Sequence, residues 1–139
     1  MKNFIRAIVF LFAVVLVAGC TGHNYGSSTS TTSGETATTN SGAHIVEITS
    51  SGFSPSTLTI NSGDTVTFTN KDTAEHWPAS AVHPTHVAYP ESGGCIGSKF
   101  DACKNLAAGE SWSFTFNQVG TWKYHDHLNP GTTGTIVVQ

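Results

Sequence analysis

From Ala43 to the C-terminus the sequence never sustains a helical period. It is cut instead into short runs rich in β-branched and aromatic residues, separated by Gly, Pro, Asn and Asp. Runs of this kind predict short strands joined by turns. Six are legible: His44–Thr49, Thr57–Ile60, Thr65–Thr69, Ser111–Phe116, Thr121–His125 and Gly134–Val138. Period-two alternation assigns their inward faces. Leu58 and Ile60 share one face, as do Val66 and Phe68, then Trp112, Phe114 and Phe116, and finally Trp122 and Tyr124. Six strands at this spacing predict an all-β fold, an antiparallel sandwich or barrel. Ser51–Pro55 and Asn61–Asp64 are turns by composition. Lys71–Gly109 is expected to be irregular, and it holds Pro78, Pro84 and Pro90. So long a connection in a small domain is usually functional.

The first 42 residues are of another kind. Met1–Arg6 carries two cations, and Ala7–Ala18 is an uninterrupted apolar run of twelve residues. Twelve residues are too few for a helix across a hydrocarbon core, which needs about 20. They suit the core of an export signal followed by small residues. Leu16-Val-Ala-Gly-Cys20 resembles a lipobox, so 1–19 is assigned as a lipoprotein signal peptide and Cys20 as the lipidated first residue of the mature chain. Thr21–Gly42 contains twelve Ser/Thr and four Gly among 22 residues. It cannot form a core, and 20–42 is read as a tether with His23 inert. The folded domain is then 43–139, one modest core in size. These features place it outside the cytoplasm, either on the outer face of the cell membrane or in the periplasm, with the membrane as partner through the anchor.

Cysteine usage agrees with export. Once Cys20 is set aside, Cys95 and Cys103 form an even pair, and an oxidising compartment lets them bond. Zinc thiolates are the rival reading, but seven intervening residues match no common zinc spacing. The formal net charge is −3, and residues 43–139 hold four Lys against eight Asp and Glu. That balance excludes an electrostatic nucleic-acid binder.

Phe53-Ser-Pro-Ser-Thr-Leu-Thr-Ile-Asn-Ser-Gly-Asp-Thr-Val-Thr-Phe-Thr-Asn70 resembles the opening of the cupredoxins, small Greek-key β-sandwiches of the plastocyanin type. Gly109–Phe116, Gly120–Tyr124 and Gly134–Val138 are similar to the family's later strands, so the resemblance covers essentially all of 43–139. It implies a cupredoxin-like Greek-key β-sandwich with a long loop insertion. It also puts His76 where the family has its first copper-binding histidine. A blue-copper site adds a Cys, a second His and an axial Met, which the family draws from one loop, Y-x-C-x-x-H-x-x-M. Here that loop is Tyr124-His-Asp-His-Leu-Asn-Pro-Gly-Thr-Thr133. Asp126 stands at the Cys place, Asn129 at the His place and Thr132 at the Met place. A thiolate-copper centre is therefore not expected.

Seven histidines remain to be explained, five of them between positions 76 and 127. His83-Pro-Thr-His86 sets two imidazoles three residues apart on a proline-stiffened loop. His125-Asp-His127 sets two at strand spacing, so both share one face and Asp126 takes the other. Imidazoles with one carboxylate suit Cu(II), with zinc as second choice. The candidate ligands are His76, His83, His86, His125, Asp126 and His127. Two arrangements stay open. One keeps the family location with His76, Asp126 and His127; the other faces His83 and His86 against His125 and His127 at the surface. Each histidine also has a bland reading, as a hydrogen-bonded loop residue or, for His44 and His125, an exposed strand residue. Asp126 could equally bind loop backbone. No phosphate loop or Gly-x-Ser-x-Gly is present. The expected function is a lipid-anchored copper-binding protein that carries copper or passes electrons to a redox or copper-trafficking partner. The alternatives are a metal-free interaction module and a small copper oxidoreductase.

Overall fold

The computed structural model describes residues 43–139, an all-β domain. The segments expected to be signal peptide and tether, with Cys20 and His23, lie outside the described residues. Eight strands are present: β1 (His44–Thr49), β2 (Gly52–Ser54), β3 (Thr57–Ile60), β4 (Thr65–Asn70), β5 (Pro78–Ser80), β6 (Ser111–Thr115), β7 (Gly120–Asp126) and β8 (Asn129–Val138). They form two four-stranded sheets, ordered β2-β1-β4-β6 and β3-β8-β7-β5. The strand spacing predicted antiparallel sheets, and two of the pairings depart from that. β1 runs parallel to β4, and β3 runs parallel to β8. β1 takes β4 on the side away from its hairpin partner β2, while β3 lies in the other sheet from both β2 and β4 and so finds its neighbour in the last strand.

Alternation fills the space between the sheets. β4 buries Val66, Phe68 and Asn70 while Thr65, Thr67 and Thr69 face outward. Those threonines pair across to Thr115, Ser113 and Ser111, with oxygen separations of 2.7–2.9 Å. The core combines Val46, Ile48, Phe53, Ile60, Val66, Phe68, Phe116, Tyr124, Ile136 and Val138 with three residues from the long connection: Tyr89, Phe100 and Leu106. Phe100 stacks on Phe114 at 5.2 Å, and Tyr89 meets the edges of Phe114 and Trp122 at 5.2 and 5.4 Å. Aromatic pairs at such spacing add to the burial of their area. The connection is thus half core, because its aromatics cover the partly buried Trp112, Phe114 and Trp122.

Two devices tie the connection down. Asn70, fully buried, donates from Nδ2 to the carbonyls of Ala74 (2.7 Å) and Leu106 (2.9 Å) and accepts from the Asp72 amide (2.8 Å). His76 and Leu106 then exchange backbone hydrogen bonds of 3.2 and 2.7 Å. At the other end, β5 pairs with β7, setting Pro78 opposite Asp126, Ala79 opposite His125 and Ser80 opposite Tyr124. From there residues 81–88 form a closed loop. The Ala88 amide donates to the Ala81 carbonyl at 2.6 Å, and the amides of Thr85 and His86 donate to the Val82 carbonyl at 2.8 and 2.9 Å. Gly97 of the next segment lies so close to the Thr85 carbonyl that a Cβ there would collide with backbone.

Cys95 and Cys103 are disulfide-bonded, with Cα atoms 5.6 Å apart. The bond closes a nine-residue loop, and the chain-entropy relation assigns it about 2.5 kcal/mol. Cys95→Ser/Cys103→Ser is therefore expected to lower unfolding free energy by roughly that amount. Denaturant titration checks this; equal midpoints for both forms would refute it.

Candidate metal centre

β7 carries the site because its two faces meet different surroundings. Tyr124 and Asp126 point between the sheets, and each is about 1% exposed. His125 points away from that core yet is only 3% exposed. The 81–88 loop explains the difference, since it lies over the outer face of β7 and brings His83 and His86 down onto His125. An outward strand position has become an interior one.

Four of the six candidate ligands converge under this loop. The His86 ring centre lies 5.0 Å from that of His125 and 4.8 Å from that of His127. His83 is 5.5 Å from His125 and 4.9 Å from His127, at the exposed side of the group. His86, His125 and His127 each offer one ring nitrogen within 4.8 Å of the others. Nitrogens that share one ion at about 2.0 Å stand about 3–4 Å apart, so a small side-chain adjustment closes the set. His86 adopts φ 54°, a left-handed conformation uncommon outside glycine and concentrated at functional sites.

The hydrogen bonds orient this group. His86 Nδ1 meets Asp101 Oδ2 at 2.6 Å, and both side chains are fully buried. The carboxylate can only accept, so His86 donates from Nδ1 and presents the Nε2 lone pair to the cluster. Nε2 lies 2.9 Å from His127 Nδ1. Asp101 Oδ1 accepts from Trp77 Nε1 at 2.6 Å and from the Cys103 amide at 2.9 Å. The Trp77 ring in turn packs on His127 at 4.4 Å. Carboxylates in this outer position fix the tautomer and orientation of ligating histidines.

His125 differs from the rest. Both its ring nitrogens are buried with no hydrogen-bond partner among the described residues. A buried polar atom left so costs about 1–3 kcal/mol, and such atoms mark sites completed by something else. Burial pushes the His125 pKa down to about 4, reinforced by His86, His83 and His127 and opposed by Asp126. Burial, then His86 and His83, also lowers His127, against Asp101 and Asp126. Neutral imidazole is the metal-ligating form. An all-imidazole donor set with two orphaned nitrogens fits a borderline metal such as copper.

The other two candidates pair with each other. His76 Nδ1 lies 2.8 Å from Asp126 Oδ2, and its Nε2 lies 3.3 Å from Asp72 Oδ2. Asp126 Oδ1 accepts from the amides of Trp77 (2.8 Å) and Leu128 (3.1 Å). Asp126 thus binds loop backbone and bridges to His76, on the opposite side of β7 from His125. Asn129 donates to Thr132 Oγ1 at 3.0 Å, beyond a bulge after His125 that shifts the β7–β8 register. Glu91 bonds Lys99 and Gln118, and His44 bonds Asp64 Oδ2 at 3.1 Å. Cys95, Asp101 and Cys103 also converge, but the disulfide occupies both sulfurs.

Asp101 and Trp77 are the participants that the sequence did not single out. Asp101 carries no local signature, being fifteen residues from His86 and twenty-four from both Trp77 and His125. Its position two residues before Cys103 is the one available clue, since a bonded cysteine fixes its neighbours. Asp101→Asn is expected to weaken metal binding about 10- to 100-fold. Calorimetric titration with Cu(II) tests this; unchanged affinity would mean that the carboxylate is structural only.

The family model described as a cupredoxin-like domain matches residues 8–138. Plastocyanin from Scenedesmus fuscus is 33% identical over 93 residues, which is 63% of this chain and 86% of that protein. The chloroplastic plastocyanin of Tetradesmus obliquus is 31% identical over 93 residues, 63% of this chain and 58% of that one. Among solved structures, a methionine-to-alanine variant of amicyanin in its Cu(I) form superimposes with a TM-score of 0.56 at 26% identity, covering 70% of this chain and 83% of that one. A purple cupredoxin from Nitrosopumilus maritimus aligns with a TM-score of 0.56 at 23% identity, over 69% of this chain and 99% of that one. This second likeness concerns the fold.

Proposed function

Because the chain belongs to the cupredoxin-like family, we propose that it is a copper-binding protein whose metal is held by His83, His86, His125 and His127 on the outer face of β7. The single observation that carries this reading is His125, buried with both ring nitrogens unpartnered at the centre of three other imidazoles. Bound there, copper would supply a Cu(II)/Cu(I) couple without a thiolate ligand. The chain's own residues do the rest. Asp101 holds His86 in one tautomer, Trp77 backs His127, and the 81–88 loop keeps water from His125. At the family's ligand position the His76–Asp126 bond and two backbone amides occupy the groups that would face a metal.

Copper carriage is favoured over rapid electron transfer. An imidazole set without soft sulfur changes its preferred geometry more between the two copper oxidation states. Export and anchoring through Cys20 complete the reading: the domain works outside the cytoplasm at a membrane surface. Zinc is the second metal the donor set admits.

Titration of the purified protein should give about one Cu(II) per chain and a pale complex with weak visible absorption, since no cysteine thiolate is near. Binding no tighter than in a variant with all four histidines replaced by alanine would overturn the reading and favour a metal-free interaction module. For the anchor, the mature protein should begin at Cys20 and carry acyl chains on that residue, read by mass spectrometry. A mature mass with an uncleaved leader or an unmodified Cys20 would refute the lipid assignment.

A further inference from the structure

A second group of donors converges outside the imidazoles. The sulfurs of Cys95 and Cys103 and one carboxylate oxygen of Asp101 all lie within 4.8 Å of one another. The interval of seven residues matches no common zinc spacing, yet the fold sets the two Cα atoms 5.6 Å apart. Two thiolates on one zinc ion at about 2.3 Å stand about 3.8 Å from each other. Reduced cysteines at this Cα spacing reach that separation by side-chain rotation alone. Both cysteines are exposed, whereas the Asp101 side chain is fully buried. An ion would therefore enter from the sulfur side and meet the carboxylate as a fixed floor.

The backbone favours thiolates here. The Cys95 amide donates to Cys103 Sγ at 3.0 Å, and a hydrogen bond to sulfur stabilises the anion over the thiol. Cys103 holds φ 57°; the other non-glycine residue with positive φ among the described residues is the candidate ligand His86. The Cys103 amide donates to Asp101 Oδ1 at 2.9 Å and so orients the carboxylate. Asp101 accepts hydrogen bonds from His86, Trp77 and this amide, and a carboxylate has about four acceptor sites. One lone pair is left for an ion.

We propose that reduction of the Cys95–Cys103 bond opens a zinc-type site, in which Cys95 Sγ, Cys103 Sγ and Asp101 hold one divalent cation and water fills the fourth position. An external dithiol supplies the two electrons: its own sulfurs join as a disulfide, and both protein sulfurs become thiols. Each thiol then releases its proton as the cation binds. Two thiolates with a carboxylate suit a borderline ion, Zn(II), better than the softer Cu(I). This site goes beyond the copper reading and needs no imidazole as ligand.

Zinc alone is the probe. The purified protein, either oxidised or reduced with dithiothreitol and desalted under nitrogen, is titrated by calorimetry, and circular dichroism follows the sheet structure of each sample. The reduced protein is expected to bind one Zn(II) more than the oxidised protein. Cys95→Ser/Cys103→Ser should abolish the extra equivalent, and Asp101→Asn should weaken it at least about tenfold. With Co(II) in place of zinc, the reduced protein alone should show sulfur-to-metal charge-transfer absorption. Equal stoichiometry in both forms, an extra equivalent that survives the double substitution, or one whose affinity Asp101→Asn leaves unchanged would overturn the proposal. So would a reduced protein that loses its sheet structure and does not regain it with zinc. Failure of the copper reading looks different: the oxidised protein would then bind no metal and the reduced protein one zinc.

Discussion

His125→Ala and His86→Ala are each expected to lower Cu(II) affinity at least about a hundredfold, while His76→Ala leaves affinity nearly unchanged and instead destabilises the fold. The contrast follows from where the two groups lie. His125 and His86 stand in the convergent cluster, whereas His76 is committed to Asp126 at 2.8 Å between the sheets. Removing His76 strands a carboxylate that is 1% exposed, and breaking such a buried pair costs about 3–5 kcal/mol. In a domain this small that lowers the melting temperature by more than about 10 °C. His83→Ala provides the folding control, because His83 is exposed and its loss should weaken copper binding without moving the melting temperature. Calorimetry and thermal unfolding of the four variants separate the effects. If His76→Ala abolishes copper binding and His86→Ala spares it, copper occupies the family location and the proposed site is wrong.

The metal-free protein is expected to lose about 3 kcal/mol of stability as pH falls from 6.5 to 4, from His125 alone. Its pKa is 6.5 when unfolded and about 4 when folded. Between those values the unfolded chain takes up a proton that the native site refuses, so stability rises with pH across this window. The contribution is complete above pH 6.5 and lost by pH 4. Burial is the main cause, and the facing His86, His83 and His127 add to it, while Asp126 behind the strand partly compensates. His127 is lowered as well and steepens the same slope. The carboxyls of Asp72, Glu91 and Glu110 are held below their ordinary range, so their stabilisation is lost only at still lower pH. Chemical denaturation of the metal-free protein at pH 7, 6 and 5 reads the slope. His125→Leu and His125→Asn should both flatten it. A flat wild-type profile, or an undiminished slope in both variants, would show that the cluster does not exclude protons.

Much of the fold was legible because strand alternation is a local property. Val66 and Phe68, Trp112 and Phe114, and Trp122 and Tyr124 all took the faces that period two assigns. The strands that escaped notice, β2 and β5, have three residues each, too few to display a period, and both contain or adjoin proline. The start of β8 was missed for a related reason. Pro130 and Gly131 resemble loop, yet they belong to a strand with a shifted register.

What the sequence by itself determined is the set of imidazoles and the face of β7 on which His125 sits; the spacing of two residues settles that without any neighbour. It could not determine that His125 is buried, that Asp126 is spent on His76 fifty residues away, or that Asp101 grips His86. Each of these depends on which distant segment covers a strand. That choice is made by the packing of the 81–88 loop and the Cys95–Cys103 loop against one another and against β7. A side-chain direction is fixed within two residues, but burial and partnership come from contacts between residues far apart in the chain, and only the closed tertiary structure specifies those.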